Sequence, residues 1–156
     1  MFRFLCVAAL LASNVLAQKS CPVTPPPDPP FVPPAPYPAN ADAGMFWHGD
    51  KDLWTLLRVN GMWHGLPYHA NEGYFNKLFL WKPGFDGRKE GRPDITVVVR
   101  ALLGPTPPVT SRGGTNAFIY PMWAMLTGVT FPASGCWEVT ASNEGHKLTF
   151  VVSVQP

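Results

Sequence analysis

The chain has 156 residues, with 12 Lys and Arg against 10 Asp and Glu and a formal net charge of +2. This near-neutral balance is no electrostatic footprint for nucleic acid or for an anionic membrane surface. Charged residues make up only 14% and aromatics 13%, which argues against disorder beyond residue 44 and for a compact β protein with a rather apolar surface.

The chain opens with an export pattern. Arg3 is the only charge before Lys19, and the apolar run Phe4-Leu5-Cys6-Val7-Ala8-Ala9-Leu10-Leu11-Ala12 lies between them. Val15 and Ala17 then occupy the small-residue positions of a cleavage site, so residues 1–17 read as a cleavable secretory signal peptide. The run is too short to cross a bilayer, which takes about 20 apolar residues. A lipoprotein signal fits poorly, because Gln18-Lys19-Ser20 precedes Cys21. No later segment is long and apolar enough to span, so no membrane span is expected after cleavage. The expected location is secreted or periplasmic, with 11 basic against 10 acidic residues left in the mature chain.

Residues 18–44 form a proline-rich arm. Ten of the 19 prolines fall between Pro22 and Pro38. Proline fixes φ and lacks an amide donor, so the arm is neither helix nor central strand and should be extended polyproline II. Its PxxP spacing, in Pro25-Pro26-Pro27-Asp28-Pro29-Pro30, could dock in an aromatic groove. The preferred reading is a spacer, or an arm lying along its own domain.

Residues 45–156 are read as one all-β domain of the size of an immunoglobulin-like antiparallel β-sandwich. Its apolar runs are short and bounded by turns. Met45–His48 is a first short strand. Leu53–Val59 and Met62–Leu66 flank Asn60-Gly61, a strong hairpin signal because a type I′ turn needs positive φ at both positions. A helix over Asp50–Val59 is the alternative, and strand is preferred. Phe75–Trp81 stops at Lys82-Pro83-Gly84, and the valine-rich Ile95–Leu103 stops at Gly104-Pro105. Asn116–Tyr120 is a weaker strand, and Ala124–Phe131 precedes Pro132. Cys136–Ser142 and Lys147–Val154 flank Asn143-Glu144-Gly145-His146 and close the domain as a hairpin.

Cys6 leaves with the signal, and Cys21 and Cys136 remain as an even pair in an oxidising compartment. Trp137, Val139 and Ala141 alternate with Cys136, Glu138 and Thr140, and the first set should face the core. Cys136 then faces outward, where it can hold the arm. A Cys21–Cys136 disulfide is expected, against two free thiols or a bond from Cys21 to another chain.

The segment Phe131-Pro132-Ala133-Ser134-Gly135-Cys136-Trp137-Glu138-Val139-Thr140-Ala141 resembles the penultimate strand of bacterial immunoglobulin-like modules, with Trp137 in the place of the corner tyrosine. The mature chain as a whole resembles a group of small exported proteins of soil bacteria. They share the Cys-Pro-Val-Thr start, the proline-rich arm, and the Thr-Asn-Ala and Gly-Cys-Trp-Glu-Val segments. The resemblance implies a bacterial source and no particular activity.

No catalytic template fits. The sequence has no Gly-x-Ser-x-Gly elbow, no phosphate-binding Gly-x-x-x-x-Gly-Lys and no His-Glu-x-x-His. Glu72, Asp86 and Glu90 could form a carboxylate pair, but their loop positions favour solvated charges. No cofactor is expected. His48, His64, His69 and His146 are the only imidazoles, and Met62, His64 and His69 form a weak candidate set for copper, since thioether and imidazole suit that metal. Asp50 and Asp52 are a still weaker calcium suggestion. Arg88, Lys89 and Arg92 make a small basic cluster, read first as a solvated loop tip.

Six tryptophans complete the inventory. Trp54 and Trp137 are expected in the core. Trp47, Trp63 and Trp81 neighbour polar turns and are the candidates for exposed ligand-stacking rings. The expected function is a non-catalytic binding or structural module of the bacterial envelope, its partner an envelope protein or glycan. Carbohydrate or peptide binding through exposed tryptophans and periplasmic copper binding are the alternatives.

Overall fold

A computed structural model describes residues 20–156; the expected signal peptide, residues 1–17, lies outside the described residues. The described chain folds into eleven strands. They are β1 (Met45–Gly49), β2 (Trp54–Arg58), β3 (Met62–Trp63), β4 (Tyr68–His69), β5 (Gly73–Trp81), β6 (Ile95–Ala101), β7 (Val109–Arg112), β8 (Thr115–Ile119), β9 (Met122–Phe131), β10 (Gly135–Asn143) and β11 (His146–Val154). They form two packed sheets. The first has the order β1-β2-β5-β9-β8 with β4 on the edge of β5, and the second the order β3-β11-β10-β6-β7. The fold is an all-β sandwich. Among the described residues no helix is long and apolar enough to cross a membrane.

Alternation builds the core. Trp137, Val139 and Ala141 of β10 are buried together with Leu148, Phe150 and Val152 of β11 and Ile95, Val97 and Val99 of β6. From the first sheet they meet Leu78, Leu80, Met125, Val129 and Phe131. The Trp137 indole N–H donates to the Ala133 carbonyl at 3.1 Å, so its polar edge is satisfied at the corner before β10. Within Asp50–Val59 the chain forms a strand and not a helix, over Trp54–Arg58 (β2), with Leu57 facing the core and Trp54 and Leu56 the opposite side.

The Asn60-Gly61 expectation is corrected. β2 and β3 are not a hairpin: β2 lies in the first sheet, and β3 pairs in parallel with β11 of the second. Asn60 keeps negative φ, because its side-chain oxygen accepts from the Met62 amide at 3.0 Å and Gly61 N–H bonds Arg58 O at 2.9 Å. Gly61 has φ +62, and a Cβ there would strike the Val23 side chain of the arm. The two-residue positive-φ turn appears instead at Glu144 (φ 51) and Gly145 (φ 86), between β10 and β11.

The arm lies on its own domain. Cys21 and Cys136 form a disulfide with Cα atoms 5.4 Å apart. Thr24 bonds twice to Val151, its amide to the carbonyl at 3.0 Å and its hydroxyl from the amide at 2.7 Å. Further on, Phe31, Tyr37 and Ala41 pack over Trp47, Trp54, Trp81 and Ala124 on the outer face of the first sheet. Tyr37 stands edge-on to Trp54, with centroids 5.0 Å apart, and its hydroxyl donates to Lys82 O at 3.0 Å. Burial first, and the Glu90 charge second, raise the Tyr37 phenol above its ordinary 10.0.

Candidate functional site: a basic trough on the outer face of the first sheet

The arm covers only one end of this outer face. Residues of β5 alternate, so Leu78 and Leu80 enter the core while Phe75, Lys77, Phe79 and Trp81 point outward. Phe79 and Trp81 join the arm-covered cluster. Phe75 and Lys77 lie beyond it, opposite Thr130 and Gly128 of β9. Gly128 is exposed in mid-strand, and no atom would meet a Cβ there, so the sheet surface beside Lys77 is bare.

Three adjoining cavities run across this open half, and they share Lys77. The first, of 510 Å³, lies between Phe75, Lys77, Gly128 and Thr130 on one side and Ser111–Thr115 on the other. The second, of 410 Å³, lies between Pro67, Phe75 and Gly128. The third, of 390 Å³, runs from Lys77 to Leu56, Arg58 and His64, with Trp63, Leu66 and Leu78 at its floor. Lys77, Arg58, Arg112 and His64 are all exposed, and no Asp or Glu lines any of the three cavities. The trough therefore offers cations and hydroxyls around the Phe75 ring, which itself meets the His69 ring at 4.9 Å.

β2 and β5 separate at this trough. They pair only at Trp54↔Trp81 and Thr55↔Leu80, and the Thr55 hydroxyl donates to Phe79 O at 2.7 Å. Farther along, β4 pairs with β5 at Tyr68↔Tyr74 and His69↔Gly73, and Phe75 N–H bonds Pro67 O. Between the two, Asn76–Leu78 has no partner strand on this edge. The Lys77 amide donates instead to the Asn76 side-chain oxygen at 2.8 Å.

The tryptophan expectation is corrected by burial. Trp47 is 6% exposed, Trp63 7% and Trp81 3%, so none offers a free face for stacking. Trp63 is held in the core against Phe131, with centroids 5.6 Å apart. Trp47 and Trp81 meet edge to face at 5.3 Å under the arm, and the Trp47 indole donates to Pro38 O at 3.0 Å. Trp54 and Trp137 are buried as expected.

The remaining candidates are dispersed. Met62 lies in β3, His64 is exposed just after it, and His69 sits in β4. Among the described residues no group of three His, Cys, Asp or Glu side chains could hold a metal ion. His48 Nε2 lies 2.9 Å from Thr149 O, and His146 is 3.8 Å from Asp52. Asp50 accepts from the amides of Asp52 and Leu53, and Asp52 pairs with Lys51. The Lys51 hydrogen bond is the main cause that lowers the Asp52 carboxyl.

Asp86 and Glu90 share one loop, while Glu72 lies apart at the turn before β5. Asp86 pairs with Arg88 and Lys89, so two of the three basic residues of that loop are internally engaged. Lys82 binds Glu90 and Glu144, each at 3.0 Å. Burial lowers the Lys82 ammonium, but the hydrogen bonds to Glu144 and Glu90 outweigh it and the net shift is upward.

An aromatic hairpin tip was not foreseen. Phe118 is 54% exposed and Tyr120 87%, and Phe118 packs on Trp123 at 5.2 Å. No family model, no curated protein and no solved structure matches the chain.

Proposed function

We propose that the chain is an exported, non-catalytic binding module, built as an immunoglobulin-like sandwich, that takes a chain-like acidic ligand along the trough around Lys77. The continuous basic trough, free of acidic side chains, carries this reading. Cations gathered on one surface raise the local concentration of an anionic partner and set its register. The disulfide fits an oxidising compartment. The strand order supports the immunoglobulin-like reading, since β5-β9-β8 and β6-β10-β11 follow the arrangement of strands B-E-D and C-F-G.

The test uses the mature chain and its Lys77→Glu/Arg112→Glu variant against poly-glutamate, alginate and a neutral glucan. The parent should bind at least one of the acidic polymers, more weakly as salt rises. The double reversal should weaken that binding about tenfold or more, equivalent to about 1.4 kcal/mol. Equal binding by the variant, or parent binding to the neutral polymer alone, would refute the proposal.

A further inference from the structure

We infer that the trough takes an extended acidic peptide that adds a strand to β5 at Asn76–Leu78; this rests on the binding-module reading above. A sheet edge with free backbone groups is a template for another extended chain, and natural sheets normally cover or disrupt such edges. Here the edge is covered above by β2 and below by β4, and open only between them. The Asn76 side-chain carbonyl stands where a strand partner's carbonyl would accept from the Lys77 amide. It is a small internal substitute that a peptide backbone can displace.

The surroundings give the peptide its chemistry. On the inner side the opening reaches Trp63, Leu66 and Leu78, and on the outer side Leu56 and Phe79. An added strand would thus bury alternate apolar side chains. The rim carries Arg58, Lys77 and His64 without a compensating carboxylate, so acidic residues at the intervening positions are favoured. A glycan can satisfy the charges and the Phe75 ring. It cannot supply the adjacent carbonyl and amide that the Lys77 backbone groups, turned to this opening, would meet.

The probe is a capped heptapeptide in which valine alternates with glutamate, added to the ¹⁵N-labelled mature chain. Controls replace each glutamate by lysine, or the central residue by proline. The glutamate peptide should slow hydrogen exchange of the Lys77 amide and bind about tenfold tighter than either control. The Asn76→Ala variant, which removes the internal competitor, should bind tighter than the parent. Peptide or alginate binding without protection of the Lys77 amide would overturn strand addition while leaving the trough reading intact. Absence of binding to every acidic probe, poly-glutamate and alginate included, would overturn both. An unchanged affinity of Asn76→Ala would also count against strand addition.

Discussion

Replacing Cys21 and Cys136 by serine removes a cross-link between residues 115 apart in sequence. The chain-entropy relation assigns such a loop about 16 cal/mol/K of denatured-state freedom, or about 5 kcal/mol at 25 °C. A stabilisation of that size rivals the whole stability of many small domains. Guanidinium unfolding, followed by tryptophan fluorescence, should show the midpoint of the double variant lower by roughly 1–2 M. The native emission should stay as in the parent. Thr24 still bonds to Val151, Tyr37 to Lys82 O, and Phe31 and Tyr37 still cover Trp54. Reduction of the unsubstituted protein gives the same comparison without a buried serine. A loss below about 1 kcal/mol would refute the assignment of the stabilisation to the denatured chain. A red-shifted native emission would show that the bridge, and not the aromatic packing, holds the arm in place.

Three further outcomes test the packing. Tyr37→Phe removes the hydroxyl bonded to Lys82 O and should lower stability by about 1 kcal/mol in urea unfolding. Because the folded phenol is raised above 10.0, its contribution is complete below that pH and is lost as pH rises through the folded value. Lys82 weakens in the same alkaline window, so a smaller drop in Tyr37→Phe than in the parent isolates the phenol. Gly73→Ala should destabilise by about 2 kcal/mol or more, since φ is +98 and the new Cβ would strike Phe131 O and lie 2.8 Å from Pro132 Cα; a near-neutral midpoint would contradict this backbone approach. Lys82→Met removes the pairs to Glu90 and Glu144 and should cost about 1 kcal/mol or less, with reduced sensitivity to salt.

The strands that the sequence announces are those with a clean two-residue period. β10 and β11 are legible because Trp137, Val139 and Ala141 must share one face, and that same alternation turns Cys136 toward the arm. β7 escaped because Val-Thr-Ser-Arg offers the core a single apolar residue, Val109, too few for a period; its ladder with β6 makes it a strand. β4 is two residues, too short for any period, and β3 keeps only Met62–Trp63 of the expected Met62–Leu66. Asn60-Gly61 misled because a positive-φ glycine signals a tight backbone, not the identity of the strand that follows. Here it accommodates Val23 and redirects the chain to the other sheet.

The tryptophans show why the site was harder to read than the fold. Proximity to polar turns suggested exposure for Trp47 and Trp81, and local sequence holds no record that Phe31 and Tyr37, ten or more residues upstream, fold back over them. Once the arm claims that end of the sheet, the accessible surface shifts to the other end. There Phe75 and Lys77 come from β5, Gly128 from β9, Arg112 from β7 and Arg58 from β2. No two of these strands are adjacent in sequence, so no motif could join them. Their only shared sign in the sequence is what is missing: the trough draws on four exposed cations or imidazoles and not one of the ten acids. The arm and the trough are thus two halves of one face, and the packing of Phe31 and Tyr37 holds the arm on its half.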